Sequence, residues 1–171
     1  QNTKTIVTIS RLVKKNGVDI LIKSIAEIKK NMPNIKCVIV GGGPEEKNFK
    51  NLVETLGLHE NIKFEDIVSM DKVFEILGDA DVFARPSRSE GMGNAFLEAL
   101  SAGVPIVGTP VGGISDIIED GKTGLFCNTE DPKDLAEKIF ILLKDEDFAK
   151  SIVDNGQKMI KERFLWRKIA E

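Results

Sequence analysis

The chain has 171 residues, of which 42% are hydrophobic and 30% are charged, and its formal net charge at pH 7 is −3. This length suits one domain, and the composition excludes the disordered, collagen-like and coiled-coil classes. The weak acidity argues against general binding to nucleic acids or anionic membranes, which requires a clustered basic surface. Two cysteines and one histidine are too few for a structural zinc site.

Short apolar, β-branched runs alternate with longer segments of helical periodicity. The first strand is predicted at Thr5–Ile9, and the helix that follows has apolar residues from Val18 to Ile28 and ends before Pro33. Further strands are predicted at 37–40, 61–64, 81–84, 104–107 and 123–126. Further helices are predicted around 49–56, 73–77, 94–102 and 132–144, with one or two more from about residue 147.

This alternation predicts an α/β fold: a Rossmann-like, doubly wound parallel sheet of about six strands with helices on both faces, in a single domain over residues 1–171. The strands are continuous apolar runs, as a sheet covered on both faces requires. Ligands of such sheets bind beyond the carboxyl ends of the strands, where the strand order reverses. In the commonest order, the loops at that point are residues 10–17 and 85–94.

The second of these loops leads through Gly91, Met92 and Gly93 into a helix that begins at Asn94. Bare amides at a helix start can bind a phosphate or diphosphate, although an ordinary capped turn has the same pattern. One turn later, Glu98 could accept hydrogen bonds from vicinal hydroxyls such as those of a ribose, or it could be a solvated helix residue.

Charged residues near both loops add to this candidate site. Glu90 precedes the helix and could bind sugar hydroxyls, or it could simply be a favourable charge near the helix N-terminus. Arg11 follows the first strand, where its guanidinium can hold phosphate oxygens, and Lys14 and Lys15 lie close by in sequence. Each cation alone could be a surface residue, but the topology brings these elements together.

Residues 86–105, Pro-Ser-Arg-Ser-Glu-Gly-Met-Gly-Asn-Ala-Phe-Leu-Glu-Ala-Leu-Ser-Ala-Gly-Val-Pro, resemble the signature of retaining GT-B glycosyltransferases of family 4, also called group 1. That signature has two glutamates separated by seven residues, followed by Ala-x-x-x-Gly-x-Pro. Further segments occur in the family's order: Ser-Arg-Leu at 10–12, Gly-Val-Asp at 17–19, Val-Gly-Gly-Gly-Pro at 40–44, Gly-Gly at 112–113 and Asp-Gly-Lys-Thr-Gly at 120–124.

The resemblance implies the C-terminal, donor-binding domain of a two-domain enzyme, without the N-terminal domain that binds the acceptor. It implies transfer of a hexose-type sugar from a nucleoside diphosphate sugar, with a UDP-sugar as the expected donor and with neither metal nor cofactor. Glu90 would be the catalytic residue facing the donor sugar, and Glu98 would hold the ribose. The remaining donor-binding residues that it implies are Arg11, Lys15, Gly91, Met92, Gly93 and Asn94 for the diphosphate and Ile67 and Val68 for the base.

The sequence departs from the family pattern at two positions. The family usually has a lysine before the glycine that matches Gly17, whereas this chain has Asn16, and Met92 replaces the usual phenylalanine. Restoring the lysine is expected to tighten diphosphate binding. Two alternatives stay open: a GT-B-related sugar-nucleotide epimerase and a non-catalytic nucleotide-sugar-binding domain.

The first residue is Gln1, which suggests a piece of a longer protein. We expect the piece alone to bind nucleotide but to be inactive as a transferase. The full-length protein is expected to be cytoplasmic, with any membrane contact made through the missing N-terminal domain, and to bind no nucleic acid.

Overall fold

The computed structural model describes residues 3–66 and 69–170. Its strands are β1 (Thr5–Ile9), β2 (Lys36–Val40), β3 (Ile62–Glu65), β4 (Val82–Arg85), β5 (Ile106–Gly108) and β6 (Leu125–Phe126). Its α-helices are α1 (Val18–Lys29), α2 (Glu46–Thr55), α3 (Met70–Gly78), α4 (Asn94–Ser101), α5 (Ile114–Ile117), α6 (Pro132–Lys144) and α7 (Glu146–Ala170). One turn of 3-10 helix covers Lys14–Asn16.

The strands form one parallel sheet in the order β3-β2-β1-β4-β5-β6. The chain builds outward from β1 to β3 and then returns to place β4 on the other side of β1, where Val7 pairs with Phe83. The order therefore reverses between β1 and β4, and the loops that follow these two strands meet at the same edge. This confirms the predicted fold class.

The core lies on both faces of the sheet because successive side chains of a strand point to opposite faces. In β1, Ile6 packs in the layer that contains α1 and α6, whereas Val7 packs in the layer that contains α3, α4 and α5. In the second layer, the rings of Phe83 and Phe96 meet edge to face with their centroids 5.1 Å apart. This contact fixes α4 against β4, directly beneath the turn that precedes α4.

Two predicted strands begin two residues later than expected, at Ile106 and Leu125. Val104 lies in the turn that follows α4, where its amide donates to the carbonyl of Ala99. Thr123 belongs to a turn, where its hydroxyl donates to the carbonyl of Ile117 at 2.7 Å and accepts from the amide of Glu119 at 2.8 Å. Both residues form their hydrogen bonds outside the sheet, so β5 and β6 are shorter than predicted.

Both cysteines of the chain are buried thiols. Cys37 and Cys127 are free and buried, and burial raises the pKa of each thiol to about 12. Neither thiol is therefore a reactive thiolate at neutral pH.

Among the residues that the structure describes, no helix is both long enough and apolar enough to cross a membrane.

Candidate functional site

A cleft of about 430 Å³ lies at the carboxyl ends of the strands, where the strand order reverses. Residues from five elements or loops line it, among them Ile9, Arg11, Gly41, Met70, Arg85 and Glu98. Two other hollows of comparable size lie near Lys4, at the opposite ends of the strands. The cleft at the reversal point is the one that parallel α/β sheets use for ligands.

Arg11 and Glu98 meet in this cleft, as the sequence analysis expected. Arg11 is exposed on the rim, and Glu98 projects from α4 and is half-buried. Burial raises the pKa of the Glu98 carboxyl. Among the residues whose side chains the structure describes, none donates a hydrogen bond to this carboxylate. Its oxygens are therefore available to hydroxyl groups of a ligand.

The turn before α4 presents backbone amides. Gly93 adopts a left-handed conformation with φ of 70°, and no side chain caps the helix start. The turn is held from behind by backbone, because the amide of Gly113 donates to the carbonyl of Gly91 at 2.7 Å. Gly112 also approaches so closely that a Cβ atom there would lie 1.8 Å from the carbonyl oxygen of Glu90. The side chain of Met92 is outside the cleft and 71% exposed.

Glu90 is not an open carboxylate at the cleft mouth. Its Oε2 atom lies 3.0 Å from Nη2 of Arg85 and accepts a 3.2 Å hydrogen bond from the hydroxyl of Ser87. Its Oε1 atom accepts from the amide of Gly91 at 3.1 Å. The side chain is only 9% exposed. Glu90 therefore does not line the cleft itself, but it contacts Arg85, which does.

The remaining predicted residues lie away from the cleft, beside it, or outside the described residues. Lys15 is exposed and does not line the cleft; its carbonyl accepts from the amide of Arg88 at 2.7 Å. Gly91 and Asn94 are also exposed beside the cleft, and Asn94 begins the helix that carries Glu98. Ile67 and Val68 lie outside the described residues, so their role as a base-binding segment stays a prediction.

Arg85 was not predicted as a site residue, and no signal in the sequence indicated that Asn16 is buried beside it. Arg85 ends an otherwise apolar strand, and its side chain is only 12% exposed. Burial lowers the pKa of its guanidinium, and the charge of Glu90 partly opposes this. Asn16 is buried; its Nδ2 group donates a hydrogen bond to the carbonyl of Arg11, and its Oδ1 atom accepts one from Arg85. A charged residue at the end of a buried strand was the signal available for Arg85.

Among the described residues, no group of three or more histidine, cysteine, aspartate or glutamate side chains is arranged to hold a metal ion. The expectation of a metal-independent site stays a prediction.

Comparison with known proteins matches residues 1–159 to the family of glycosyl transferases group 1. The chain is 32% identical, over 97% of its length, to the GDP-mannose-dependent alpha-(1-6)-phosphatidylinositol monomannoside mannosyltransferase of Mycobacterium tuberculosis, and it spans 45% of that enzyme. It thus covers less than half of this curated relative.

Two solved structures share the fold. Anabaena HepE in complex with UDP and glucose is 25% identical with a TM-score of 0.88, over 95% of this chain and 45% of that one. The C-terminal domain of the glycosyl transferase group 1 family protein LpcC from Francisella tularensis is 22% identical with a TM-score of 0.85. That comparison covers 94% of this chain and 86% of that domain.

Proposed function

The chain belongs to the glycosyl transferases group 1 family, and from this premise we propose that it is the C-terminal, donor-binding domain of a retaining GT-B glycosyltransferase. The whole enzyme would transfer a hexose-type sugar from a nucleoside diphosphate sugar to an acceptor held by an N-terminal domain. The observation that carries the proposal is that Arg11 and Glu98 line one cleft at the strand reversal, and that the Glu98 carboxylate has no hydrogen-bond partner among the described side chains. A ligand with both phosphates and hydroxyls requires such a combination.

In the proposed complex, Glu98 accepts hydrogen bonds from the ribose hydroxyls, because its carboxylate is half-buried and has no partner among the described residues. Arg11 and the uncapped amides after Gly93 hold the diphosphate. Glu90 faces the donor sugar with the acceptor capacity that Arg85, Ser87 and Gly91 leave unused.

The reaction would break the bond between the anomeric carbon and the phosphate oxygen, and the electron pair would leave with the diphosphate. The acceptor hydroxyl would form the new bond on the same face of the sugar and pass its proton to the departing diphosphate oxygen. Charge grows on the leaving diphosphate, so pre-positioned cations and amides lower the barrier. We propose that these groups serve this purpose without a metal ion.

The relatives support the donor class. The mycobacterial relative is named for its dependence on GDP-mannose, and the Anabaena relative was solved with UDP and glucose. Both are nucleoside diphosphate chemistries, and we propose a UDP-sugar for this chain. The near-complete overlap with an isolated C-terminal domain supports the assignment to that half of the enzyme.

Titration calorimetry of the 171-residue chain with UDP, GDP and ADP, each with Mg²⁺ and with EDTA, tests the proposal. We expect saturable binding of one nucleotide, with an affinity that Mg²⁺ does not change, and no transfer of sugar by the chain alone. Absence of binding by all three at millimolar concentration would overturn the donor-site assignment. Strict dependence on Mg²⁺ would overturn the metal-independent part.

A further inference from the structure

Arg85 is a buried cation that the roles assigned above leave unexplained. Its Nη1 atom donates to the carbonyl of Ile9 at 3.2 Å, and its Nη2 atom donates to Oδ1 of Asn16 at 3.1 Å and pairs with Glu90. Its Nε atom is buried and has no partner in the described part of the chain. Burying a guanidinium with an unused donor is costly, and a guanidinium stays charged at any physiological pH. The residue also lines the cleft beside Arg11 and Glu98.

Asn16 connects the two arginines of the cleft. Its Nδ2 group donates to the carbonyl oxygen of Arg11 at 2.7 Å, while its Oδ1 atom accepts from Arg85. Asn16 is 2% exposed, so its side-chain amide is shielded from water. One neutral amide thus fixes the backbone at Arg11 and the guanidinium of Arg85 relative to each other.

A lysine at position 16 would conflict with this arrangement. A lysine has no acceptor for Nη2 of Arg85, and it would place an ammonium next to that guanidinium, where like charges repel strongly in a buried site. A cation at position 85 therefore calls for a neutral acceptor at position 16. The cleft gains a positive charge from the end of β4 in place of one from the loop after β1.

We infer that Arg85 is a second diphosphate-binding residue of the cleft, in place of a lysine at position 16, and that Asn16 is the positioning residue that aims it. The inference rests on the proposed function, because it takes the diphosphate of the donor as the ligand. A purely structural role for Arg85, as the partner of Glu90, is the competing explanation. The two explanations differ in whether Arg85 binds the phosphates of the ligand or only stabilises the fold.

Calorimetry with matched ligands distinguishes the binding role of Arg85 from the purely structural one. UDP, GDP and ADP are compared with uridine, guanosine and adenosine, using the pair that the unaltered chain binds best. Arg85→Met is expected to weaken binding of the diphosphate by about tenfold or more and to leave nucleoside binding within about threefold. The exchange Asn16→Lys with Arg85→Met is expected to regain most of the lost affinity for the diphosphate. Equal losses for both ligands, or no loss, would overturn the inference, as would failure of the exchange to recover binding.

Three further variants serve as controls. Arg85→Met leaves Glu90 buried without its cation, so Arg85→Met with Glu90→Gln is compared with Glu90→Gln alone, and circular dichroism checks the fold of each. Lys30→Met removes a positive charge from a side chain that is 68% exposed, just after α1 and outside the lining of the cleft, and it should change diphosphate affinity less than twofold. Equal diphosphate affinity of Glu90→Gln and the double variant would again overturn the inference.

The outcome also distinguishes this inference from the proposed function. If the unaltered chain binds none of the nucleoside diphosphates, the proposed function fails, and inorganic pyrophosphate becomes the probe. Pyrophosphate binding that is lost in Arg85→Met would sustain Arg85 as a phosphate-binding residue. Pyrophosphate binding that is absent or independent of Arg85 would end the inference as well. If a diphosphate binds but Arg85→Met has no effect, only the inference fails.

Discussion

The guanidinium of Arg85 and the carboxylate of Glu90 lie 3.0 Å apart, with only 12% and 9% of their side chains exposed. The two charges neutralise each other inside the protein before any ligand is bound. The first glutamate of the family signature is thus part of a hydrogen-bonded unit with the end of β4, and its effect on ligands is coupled to that of the arginine.

This pairing yields a prediction for Glu90→Gln. The variant keeps an acceptor for sugar hydroxyls but removes the charge that competes for Arg85. We expect the affinity for UDP or GDP to stay the same or rise. The additional affinity of UDP-glucose over UDP, or of GDP-mannose over GDP, should fall by about 1 kcal/mol. Calorimetry with these four ligands measures both, and a fall in diphosphate affinity alone would contradict the expected division of roles.

Glu98→Gln tests the ribose contact. A glutamine offers one acceptor oxygen where the carboxylate offers two, so nucleotide binding should weaken by about 1–3 kcal/mol. The same loss should appear with the nucleoside, because the ribose is common to both ligands. Glu119→Gln is the matched control, since that side chain is 70% exposed and forms a surface salt bridge with Lys122. Unchanged affinity in Glu98→Gln would mean that Glu98 is a solvated helix residue.

The same substitution should affect stability in the opposite direction. Burial raises the pKa of Glu98, so the folded state binds this proton more tightly than the unfolded state does. The free energy of unfolding therefore falls as the pH rises from the unfolded pKa through the higher folded pKa, and the loss is complete above the folded pKa. Glu98→Gln should be more stable than the unaltered chain at pH 7, and the gain should disappear below the unfolded pKa of about 4. Urea denaturation at several pH values measures this, and a loss of stability at pH 7 would contradict it.

Asp19 and Arg88 tie the start of α1 to the loop after β4. Two hydrogen bonds of 2.9 Å and 2.8 Å join them, and Arg88 also pairs with Glu130. Burial raises the pKa of Asp19, but the hydrogen bonds and charge of Arg88 lower it by more, so the net pKa lies below its ordinary value. The pair thus stabilises the fold above the unfolded pKa of about 4, and this contribution is lost as the pH falls through the lower folded pKa.

Asp19→Asn should accordingly cost about 1–3 kcal/mol at pH 7. The cost should shrink at acidic pH as the aspartate of the unaltered chain becomes protonated. Glu27→Gln, which removes an i,i+3 pair with Lys30 on the surface of α1, should cost less than about 0.5 kcal/mol and serves as the control. A cost for Asp19→Asn that does not vary with pH would show that packing, not charge, holds this junction.

Gly17 and Gly57 offer a matched test of space at a similar backbone conformation. Their φ angles are 71° and 68°, but a Cβ atom at Gly17 would lie 2.0 Å from the carbonyl oxygen of Pro86, whereas nothing lies within 4 Å of one at Gly57. Gly57→Ala should cost about 1–2 kcal/mol for the left-handed conformation alone. Gly17→Ala should cost more and should also weaken nucleotide binding, because the loops after β1 and β4 must separate. Equal costs in urea denaturation would contradict this.

Local signals predicted the parts of the fold whose causes are local. The helix at 132–144 was predicted with its observed bounds, because Asp131 caps it through the amide of Asp134 at 3.0 Å and Pro132 fits the first turn. Strand β1 was likewise predicted with its observed ends. Val104 and Thr123 were placed in strands because they are β-branched, whereas their hydrogen bonds are made in neighbouring turns.

The candidate site was predicted where topology alone brings residues together, as it does for Arg11 and Glu98. Arg85 was missed because its burial depends on Glu90, five positions further on, and on Asn16, which is 69 positions away in sequence. Asn16 was taken as the loss of a lysine because its partner cation lies on another strand. No local pattern carries that information.

The turn before α4 is held by main-chain contacts with Gly112 and Gly113, and the exposed side chain of Met92 takes no part in them. Mutational tolerance should therefore be uneven across this short segment. Replacements at residue 92 should leave the amides in place, while bulk added at residue 112 would push them out of place. A saturation library at Met92 should consequently keep nucleotide binding in most of its members, whereas one at Gly112 should lose it in most.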